Sequence, residues 1–523
     1  MKALLFTGLC ALFIASLPGC ASINIDRAAE RKPSYAISQN TPSQLQKLAF
    51  KPEPGNPQQS SFVLLDSGLD ALAARLWLAE KAEKTLDVQY YIFHGDKTGA
   101  LVAGALMDAA ERGVRVRILL DDIYTHKHEA DIMALYSHPN IEIRLFNAFH
   151  FRGGNPLIQL GQFMRDDRLN RRMHNKLFAA DNQFAITGGR NIGDEYFVAH
   201  DEFSFVDLDV MASGPAVAEL SRSFDRYWAS EAVIPARALP GYKLARHRLP
   251  ELKAALRQKR IELEDSDYGR ELKAMQFEQR LLSGELEAYA GTAEVVADPP
   301  KKVEGNLHVS ELLVGQLSGL GSDVKQETIV ISPYFVPGKM GLDWMAHMRA
   351  RGVHVRVLTN SLAASDVPVV HAGYAKYRKT LLEMGVELHE LKPLPNAGPR
   401  KTRIIGSGSS RSSLHTKSLV FDRRKVFIGS FNFDPRSAWL NTELGLVIDS
   451  EPVAQRVAEM AERAMDPLYS HSLALKKTGQ QAAIVWSSRT ERGENHSETE
   501  PNTGWWKRRW VDFLKLLPIE RHL

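Results

Sequence analysis

The chain has 523 residues, of which 44% are hydrophobic and 24% are charged. This composition is typical of an ordered globular protein and argues against a disordered or fibrous chain, and the length allows more than one domain. The net charge of +4 is too small for this length to indicate a nucleic acid partner by itself.

The N-terminus has the pattern of a targeting segment. Lys2 precedes an apolar run over 3–17, which is short for a membrane-spanning helix. The run ends in Leu-Pro-Gly-Cys, which resembles the cleavage box of bacterial lipoproteins and implies a lipid anchor on Cys20. We therefore expect a membrane-associated lipoprotein of the bacterial cell envelope. The residue after Cys20 favours the outer membrane, and the inner membrane, an ordinary signal peptide or an uncleaved anchor remain alternatives.

A strand–helix–strand pattern then occurs twice. The first copy has a strand at Leu86–Phe93, a helix from Ala100 to Gly113 and the strand VRVRILLDD. The second has a strand at Thr328–Val336, a helix closing at Gly352 and the strand VHVRVLTNS. The two glycines lie 239 positions apart, which indicates an internal duplication. This order favours parallel pairing and predicts two related α/β lobes.

Each predicted lobe also carries the motif H-x-K-x4-D, and the two motif histidines lie 241 positions apart. In both copies a glycine follows the aspartate by seven positions and an asparagine follows the glycine by three. The residues concerned are His174, Lys176, Asp181, Gly188 and Asn191 in the first copy, and His415, Lys417, Asp422, Gly429, Ser430 and Asn432 in the second.

The residue types of the motif suit chemistry at phosphorus. LFAAD and SLVFD are typical of short buried strands, and alternation places His and Lys on one face of each strand. A neutral imidazole can attack phosphorus, an imidazolium can donate a proton, and a lysine can neutralise phosphoryl oxygens. Asn191, Ser430, Asn432 and the backbone N–H groups of the Gly-rich turns are candidate phosphate ligands. A covalent mechanism needs both a nucleophile and an acid, and each half supplies one histidine.

The duplicated motif resembles the defining feature of the phospholipase D superfamily. The resemblance implies an α/β fold of two pseudo-symmetric α/β/α lobes that share one active site. It implies a phosphohistidine intermediate with His174 as nucleophile and His415 as acid, then base. Within the two His/Lys/Asp sets, it implies that Asp181 and Asp422 are more structural than catalytic. The alternative is two ordinary histidines on buried strands.

An acidic residue follows each motif in a strand-like run. These are Asp207 in FSFVDLDV and Glu443 in NTELGLVI. The resemblance implies that such acids orient the catalytic histidines from across the lobe interface. We expect Asp207 to pair with His415 and Glu443 with His174; surface or strand-end carboxylates are the alternative.

Two further segments have more than one interpretation. Leu249–Gly291 is highly charged with apolar residues at helical spacing, which predicts a solvated helical insertion that could instead cover the site. The basic, Gly/Ser-rich loop Pro399–Ser413 runs into the second motif and either lines the site or is a disordered connection.

The segment TNSLAASDVPVVHAGYAKYRKTLLEMGVELHEL, with VQYYIF, PYFVP and the terminal EPNTGWWKRRW, is similar to bacterial cardiolipin synthases of the C type. The resemblance covers nearly all of residues 61–523. The lipid-anchor pattern departs from it, because cardiolipin synthesis is normally ascribed to the inner membrane. His371 and Tyr374 are head-group contact candidates, although placement in the core or on the surface is the simpler expectation.

The last nineteen residues predict an amphipathic helix. Trp506, Trp510, Phe513, Leu514 and Leu517 fall on one helical face, with basic residues largely off it. This pattern is typical of a helix in a membrane interface, and packing of the stripe against the protein's own lobes is an equal alternative.

The resemblance and the residues together predict a phosphatidyltransferase that acts on membrane glycerophospholipids, forming cardiolipin from phosphatidylglycerol. A phospholipase D hydrolase, a phosphodiesterase or nuclease of the same superfamily, and a non-catalytic membrane-tethered binding protein are the alternatives. No metal or other cofactor and no nucleic acid partner is expected, and protein partners are not indicated. The predicted organisation is a signal peptide (1–19), a tether after Cys20 (20–60), a first lobe (61–245), a helical charged insertion (246–305), a second lobe (306–470) and a tail (471–523).

Overall fold

The computed structural model describes residues 31–53, 55–149, 161, 166–200, 204–393, 412–478, 481–490, 493–517 and 520. The predicted signal peptide, Cys20 and residues 399–411 of the predicted loop lie outside the described residues. Among the described residues, no helix is both long enough and apolar enough to span a membrane.

The strands of the described residues alternate with helices through both halves of the chain. In chain order they are β1 (Gln59–Leu65), β2 (Thr85–Tyr90), β3 (Arg115–Asp121), β4 (Ile141–Phe146), β5 (Leu177–Ala180), β6 (Phe184–Gly188), β7 (Ser204–Val206), β8 (Asp209–Ser213), β9 (Val233–Pro235), β10 (Ala288–Ala297), β11 (Glu327–Ile331), β12 (His354–Asn360), β13 (Glu387–Leu391), β14 (Ser412–Leu414), β15 (Ser418–Phe421), β16 (Lys425–Gly429), β17 (Leu444–Asp449), β18 (Ser470–Thr478), β19 (Gln481–Thr490) and β20 (Gly493–Ser497).

The helices of the described residues range from one turn to four turns. In chain order they are α1 (Gln44–Leu48), α2 (Gly68–Lys81), α3 (Lys97–Glu111), α4 (Glu129–Tyr136), α5 (Pro215–Trp228), α6 (Tyr242–Ala245), α7 (Leu249–Glu264), α8 (Asp267–Ala274), α9 (Phe277–Leu282), α10 (Leu313–Leu320), α11 (Gly338–Ala350), α12 (Pro368–Ala375), α13 (Arg378–Glu383), α14 (Pro435–Trp439), α15 (Glu451–Met465) and α16 (Trp505–Leu514).

Strand pairing follows the same order in both halves of the chain. The hydrogen-bonded order is β4-β3-β2-β5-β6-β8-β1 in the first half and β13-β12-β11-β15-β16-β17-β10 in the second. The strands joined by helices, β2 to β4 and β11 to β13, are parallel, as the repeat predicts. The motif strands pair antiparallel with them. The predicted pair of pseudo-symmetric α/β lobes is therefore confirmed.

The two lobes are joined edge to edge through their last strands. β1 pairs antiparallel with β10, with Gln59 opposite Thr292 and Val63 opposite Ala288. Each of these strands would otherwise expose unpaired backbone groups. The segment 246–305, predicted to be a helical insertion, is helical only through α7 to α9. Its end forms β10, which is rich in β-branched residues, so the second lobe begins at Ala288 and not at residue 306.

Three hydrophobic cores hold this arrangement together. One lies between the first sheet and α2 to α4, and another lies between the second sheet and α10 and α11. The core between the lobes combines α5, α15 and strands of both sheets, with Phe224 and Val457 buried in it. This shared core fixes the position of one lobe against the other.

A glycine ends the corresponding helix in each lobe, as predicted. Gly113 follows α3 with φ +94°, and Gly352 follows α11 with φ +83°. A residue with a Cβ adopts this left-handed conformation only at a cost, so glycine is favoured there. The first helix begins before the predicted Ala100, because the Asp96 side chain caps it at Gly99 N–H.

Two strands end earlier than their apolar runs suggest. β2 ends at Tyr90 instead of Phe93, and β11 ends at Ile331 instead of Val336. The residues beyond β11 remain buried, but the backbone N–H of Val336 donates to the Phe433 carbonyl instead of extending the ladder. Burial of an apolar run therefore does not by itself require a strand.

Candidate active site

Each motif leads into a β-hairpin with the same turn. His174 and His415 lie just before β5 and β15, so each motif enters its strand instead of lying within it. The turns at Asp181–Asn182 and Asp422–Arg423 have φ between +50° and +53°. Two successive residues with positive φ are the mark of the tight hairpin turn that Asp and Asn tolerate.

The motif aspartates bind backbone N–H groups of a neighbouring strand and make no contact with the histidines. Each carboxylate accepts three hydrogen bonds where β2 or β11 begins. The donors are Glu83, Lys84 and Thr85 for Asp181, at 3.1, 2.8 and 2.8 Å, and Lys325, Gln326 and Glu327 for Asp422, at 2.8, 2.8 and 2.9 Å. These are structural positions, of the kind that the resemblance implied.

His174 is held by the second lobe. Its Nδ1 lies 2.8 Å from Oε2 of Glu443, and its backbone N–H donates to the carbonyl oxygen of Thr442 at 2.8 Å. An isolated parallel bridge between Met173 and Thr442 connects the lobes at this point. The carboxylate thus fixes the ring from across the lobe interface.

His415 is held by the first lobe in the same way. Its Nδ1 lies 2.5 Å from Oδ2 of Asp207, and its backbone N–H donates to the carbonyl oxygen of Val206 at 2.7 Å. The short strands β7 and β14 pair in parallel immediately before the two residues. Both cross-lobe contacts are those expected from the sequence, and neither ring Nε2 has a hydrogen-bond partner among the described residues.

The motif lysines lie beside the rings. The Nζ of Lys176 donates to the carbonyl oxygen of His174 at 2.7 Å, and the Nζ of Lys417 donates to that of His415 at 2.6 Å. Lys417 Nζ also lies 3.0 Å from His415 Nδ1. We assign the Nδ1 proton to the bond with Asp207, because two acceptors at 2.5 Å would repel each other.

Burial lowers the pKa values of all four groups, and neighbouring cations lower those of His174, Lys176 and His415 further. Burial lowers the pKa of His174 to about 4 and that of His415 well below its usual range. Burial also lowers the pKa of Lys176 to about 7 and that of Lys417 to about 8. Each lysine contributes to the lowered pKa of the histidine in the other lobe, so the two motifs form one site. A bound anion such as a phosphodiester would relieve this crowding.

The two histidine-orienting acids differ in their surroundings. The hydroxyl of Ser430 donates to Oε2 of Glu443, the same oxygen that holds His174. The first lobe has Gly189 at the position of Ser430, and a Cβ there would lie 2.0 Å from Oδ1 of Asp207. Burial raises the pKa of Asp207, whereas for Glu443 the effect of burial is outweighed by His174 and the pKa is lowered.

The predicted phosphate ligands lie in three different environments. The Ser430 hydroxyl donates to Glu443, so this side chain positions the acid, and its phosphate contact stays a prediction. The Asn191 amide donates to the Tyr196 hydroxyl and accepts from the Ile92 N–H. Oδ1 of Asn432 is buried without a hydrogen-bond partner among the described residues, and its phosphate contact stays a prediction.

Aromatic walls of the site were not predicted. The Tyr91 ring lies 5.1 Å from the His174 ring, centroid to centroid, and the Phe205 and Tyr196 rings lie 4.6 and 5.2 Å from that of His415. Alternation in FSFVD, which places Phe205 on the same side of the chain as Asp207, could have indicated one of them. The other two come from neighbouring segments whose approach depends on the fold.

Asp298 is a further residue that the motif analysis missed. This buried side chain accepts from the Glu443 N–H at 3.0 Å and from Lys302 Nζ at 2.9 Å, and it thereby fixes the backbone that carries Glu443.

His371 and Tyr374, the head-group candidates, are buried in the second lobe, so core placement is the correct alternative. His371 contacts Arg378 and Glu500 there.

Among the described residues, no cluster of three or more His, Cys, Asp or Glu side chains is arranged to hold a metal ion. The expectation that the chemistry uses no cofactor stays a prediction, and the groups described above are all side chains of the chain itself.

Comparison with known proteins identifies relatives of the whole chain. A family model described as "Cardiolipin synthase, PLD-like domain" matches residues 77–228 and 322–465. The chain is 43% identical over 475 residues to cardiolipin synthase C of Escherichia coli (strain K12), covering 89% of this chain and 96% of that protein. It is 34% identical over 477 residues to an uncharacterized protein of Helicobacter pylori (strain ATCC 700392 / 26695), covering 90% of each. Phosphatidylserine synthase of Haemophilus influenzae Rd KW20 has the same fold, with a TM-score of 0.56, 12% identity, and 88% and 95% coverage.

Proposed function

This chain belongs to the family of phospholipase D-like cardiolipin synthases, and we propose that it is a phosphatidyltransferase that forms cardiolipin from phosphatidylglycerol through a phosphohistidine. The observation that carries the proposal is the crossed pair of contacts, in which each lobe's carboxylate holds the other lobe's imidazole through Nδ1. Two oriented rings with unbonded Nε2 atoms are what a nucleophile and an acid require.

In the first half-reaction, Nε2 of His174 attacks the phosphorus of a phosphatidylglycerol. The P–O bond to glycerol breaks as the P–N bond forms, and His415 gives the leaving oxygen its proton. The attacking ring gains positive charge, which the ionised Glu443 stabilises. Lys176 and Lys417 neutralise the phosphoryl oxygens.

In the second half-reaction, His415 takes the proton from a hydroxyl of another phosphatidylglycerol. The resulting oxygen nucleophile attacks the phosphorus, and the P–N bond to His174 breaks. In the empty site both imidazoles are neutral, and the negative charge of a bound phosphodiester raises the pKa of His415 so that it can serve as acid.

The C-terminal helix α16 supports contact with a membrane surface. Val511 and Leu514 pack against the second lobe, whereas Trp506, Trp510 and Phe513 are 80%, 55% and 49% exposed. The predicted stripe is thus divided, and its aromatic part remains available to a lipid interface. We place the protein in the bacterial cell envelope, tethered through Cys20, on the strength of its sequence pattern.

Product analysis tests the proposal. The purified protein is incubated with phosphatidylglycerol vesicles, and the lipids are identified by mass spectrometry. Cardiolipin with free glycerol is the expected result. Phosphatidic acid as the only product would establish the hydrolase instead, and absence of any lipid turnover, with His174→Ala as the blank, would overturn the proposal.

A further inference from the structure

An apolar cavity of about 300 Å³ lies in the first lobe beside the candidate active site. Its floor is formed by buried side chains of α3, β3 and β4, among them Leu106, Ile118 and Ile143. Its outer wall is the insertion helix α7, which contributes Leu252, Ala255 and Leu256 at helical spacing. The volume is in the range of small-molecule sites, and the lining is mainly hydrophobic.

The cavity and His174 share one wall, the side chain of Tyr91. Tyr91, Asp121 and Tyr124 are among its lining residues. The Tyr91 ring contacts the His174 ring, and the Lys176 ammonium lies 5.8 Å from the centre of the Tyr91 ring. Oδ2 of Asp121 accepts from the backbone N–H of Met173 at 2.8 Å. One end of the apolar space is therefore separated from the motif with the proposed nucleophile by single side chains.

The corresponding face of the second lobe is filled. α4 in the first lobe and α12 in the second are equivalent helices, with Ile132 and Ala372 240 positions apart. Ile132 lines the cavity, whereas Ala372 is covered by Val511 and Leu514 of α16. The first lobe, which carries His174, thus keeps an apolar cavity at a position where the second lobe is filled by α16.

The outer wall is attached by contacts that a ligand could displace. Lys253 pairs with Glu111 and Arg260 with Asp108, and these side chains are between 31% and 37% exposed. Ion pairs at such positions contribute little to stability, because water competes for the charges. The end of the helix is held more firmly, because Leu263 is buried in the core of the first lobe, so a ligand would displace the wall near Leu252 and Leu256 first.

We propose that this cavity binds one acyl chain of the phospholipid whose phosphorus His174 attacks. The inference rests on the proposed function, since it assigns a place to part of that substrate. A lipid whose phosphate lies between the two motifs has its chains close to Tyr91, and an apolar cavity can receive a chain from the bilayer at little cost in transfer free energy, because both surroundings are apolar. The second chain would remain in the membrane.

Filling the cavity tests the proposal. Ala103→Phe on α3 and Ala255→Phe on α7 place a ring in the cavity, and Ala254→Phe, at an exposed position of the same helix, is the matched control. Transfer rates are measured with dioleoyl- and dihexanoyl-phosphatidylglycerol in the same detergent micelles. We expect the dioleoyl-to-dihexanoyl rate ratio to fall roughly tenfold in the filled variants, because a long chain that stays in the micelle no longer helps to position its phosphate at His174. The ratio should stay at the wild-type value in the control.

An unchanged ratio in folded Ala255→Phe would overturn the proposal, even if Ala103→Phe failed to fold. Photolabelling decides the question without turnover. His174→Ala protein is irradiated with phosphatidylglycerol that carries a diazirine at the end of one acyl chain. Label on α3, α4 and α7 is expected, and label confined to α16 or spread over the surface would contradict a chain site. Label in the cavity together with no transfer by wild-type protein would refute the proposed function and leave the chain site standing.

Discussion

At the scale of single residues, the two motif histidines have the same sequence neighbours but different partners. His174 is held by Glu443, which also accepts from Ser430 and keeps a lowered pKa. An acid that stays ionised suits a ring that becomes positively charged when it is bonded to phosphorus. His415 is held by Asp207, whose pKa burial raises. This asymmetry agrees with a nucleophile in the first motif and an acid in the second.

We predict that the two histidine variants fail at different steps. His174→Ala should form no covalent intermediate. His415→Ala should lose about 10²–10⁴-fold in rate with phosphatidylglycerol, because the leaving oxygen is no longer protonated. A nitrophenyl phosphodiester needs no such proton, so it should partly rescue the first step and leave a phosphohistidine on His174. Intact-protein mass spectrometry detects the adduct, and an adduct on His415 in the His174→Ala protein would reverse the assignment.

With a nitrophenyl phosphodiester, whose leaving group needs no proton from His415, the pH profile of kcat/KM should have two limbs set by the free enzyme. The neutral His174 is lost as pH falls through its pKa of about 4, so activity should decline there. The ammonium groups are lost as pH rises through about 7 for Lys176 and about 8 for Lys417, so activity should also decline above neutrality.

Lys176→Arg is the control, since a guanidinium stays charged and the alkaline limb should move toward the pKa of Lys417. A wild-type profile that stays flat between pH 6 and pH 9 would contradict the role of the lysines. Initial rates with a soluble phosphodiester give the profile without interference from the membrane.

Motif spacing predicted the residues that meet in the site but not all of their contacts. The crossed pairs of His174 with Glu443 and of His415 with Asp207 follow from the duplication and the resemblance. The contact of Ser430 with Glu443 could not be predicted. The first lobe has a glycine at the equivalent position, and the sequence does not show how close the neighbouring carboxylate lies in either lobe. Tyr91 was within a quoted strand, yet its contact with His174 depends on how β2 meets β5.

At the scale of elements, the hairpin turns after each motif tie two strands together through one carboxylate. We predict that Asp181→Ala lowers the free energy of unfolding by about 2–3 kcal/mol, because one buried and two partly buried backbone N–H groups lose their acceptor and alanine disfavours positive φ. Asp422→Ala should cost about 1–2 kcal/mol, since two of its three donors are exposed to water.

Urea unfolding measures both costs, and activity is then compared per folded molecule. Full activity in the folded fraction is expected for each variant. A folded but inactive Asp181→Ala or Asp422→Ala protein would place these aspartates in the chemistry.

The terminal helix α16 gives a second prediction at this scale. Trp506→Ser combined with Trp510→Ser should weaken binding of the anchor-free protein to anionic vesicles by roughly tenfold, because large apolar side chains no longer enter the interface. Thermal stability should stay close to the wild-type value, since both rings are exposed.

Leu514→Ser is the matched control. This side chain is buried against the second lobe, so its loss should lower stability and leave vesicle binding per folded molecule unchanged. The reverse result, with the tryptophan variant unfolded and Leu514→Ser defective in binding, would mean that the aromatic residues belong to the core.

The repeated elements were predicted well and the irregular ones were not. Apolar spacing and the glycine ends of α3 and α11 give the parallel strand–helix–strand units directly. β10 was assigned to the charged insertion, because its alternation is weak and its place depends on the edge of β1. The sequence also could not predict that α7 packs over the first lobe. A charged helix with apolar residues at helical spacing is compatible both with a solvated insertion and with a helix that covers a cavity.

At the scale of the whole molecule, we propose that the N-terminal segment and α16 together hold the protein at a membrane. We predict that Cys20 carries the lipid anchor. Radioactive palmitate fed to a bacterial host should label the wild-type protein, and Cys20→Ala should lose the label. Cys10→Ala should keep it, because that residue lies in the segment that is removed. Label retained in Cys20→Ala would exclude this anchor.

The crossed contacts also make the alignment of both histidines depend on the contact between the lobes. Each imidazole is aligned by a carboxylate of the other lobe at 2.5 or 2.8 Å. A separation of the lobes by the length of one hydrogen bond would therefore release both rings together, since neither lobe holds its own histidine through Nδ1. Water that entered through such a gap would meet the proposed phosphohistidine without an aligned His415 to take its proton.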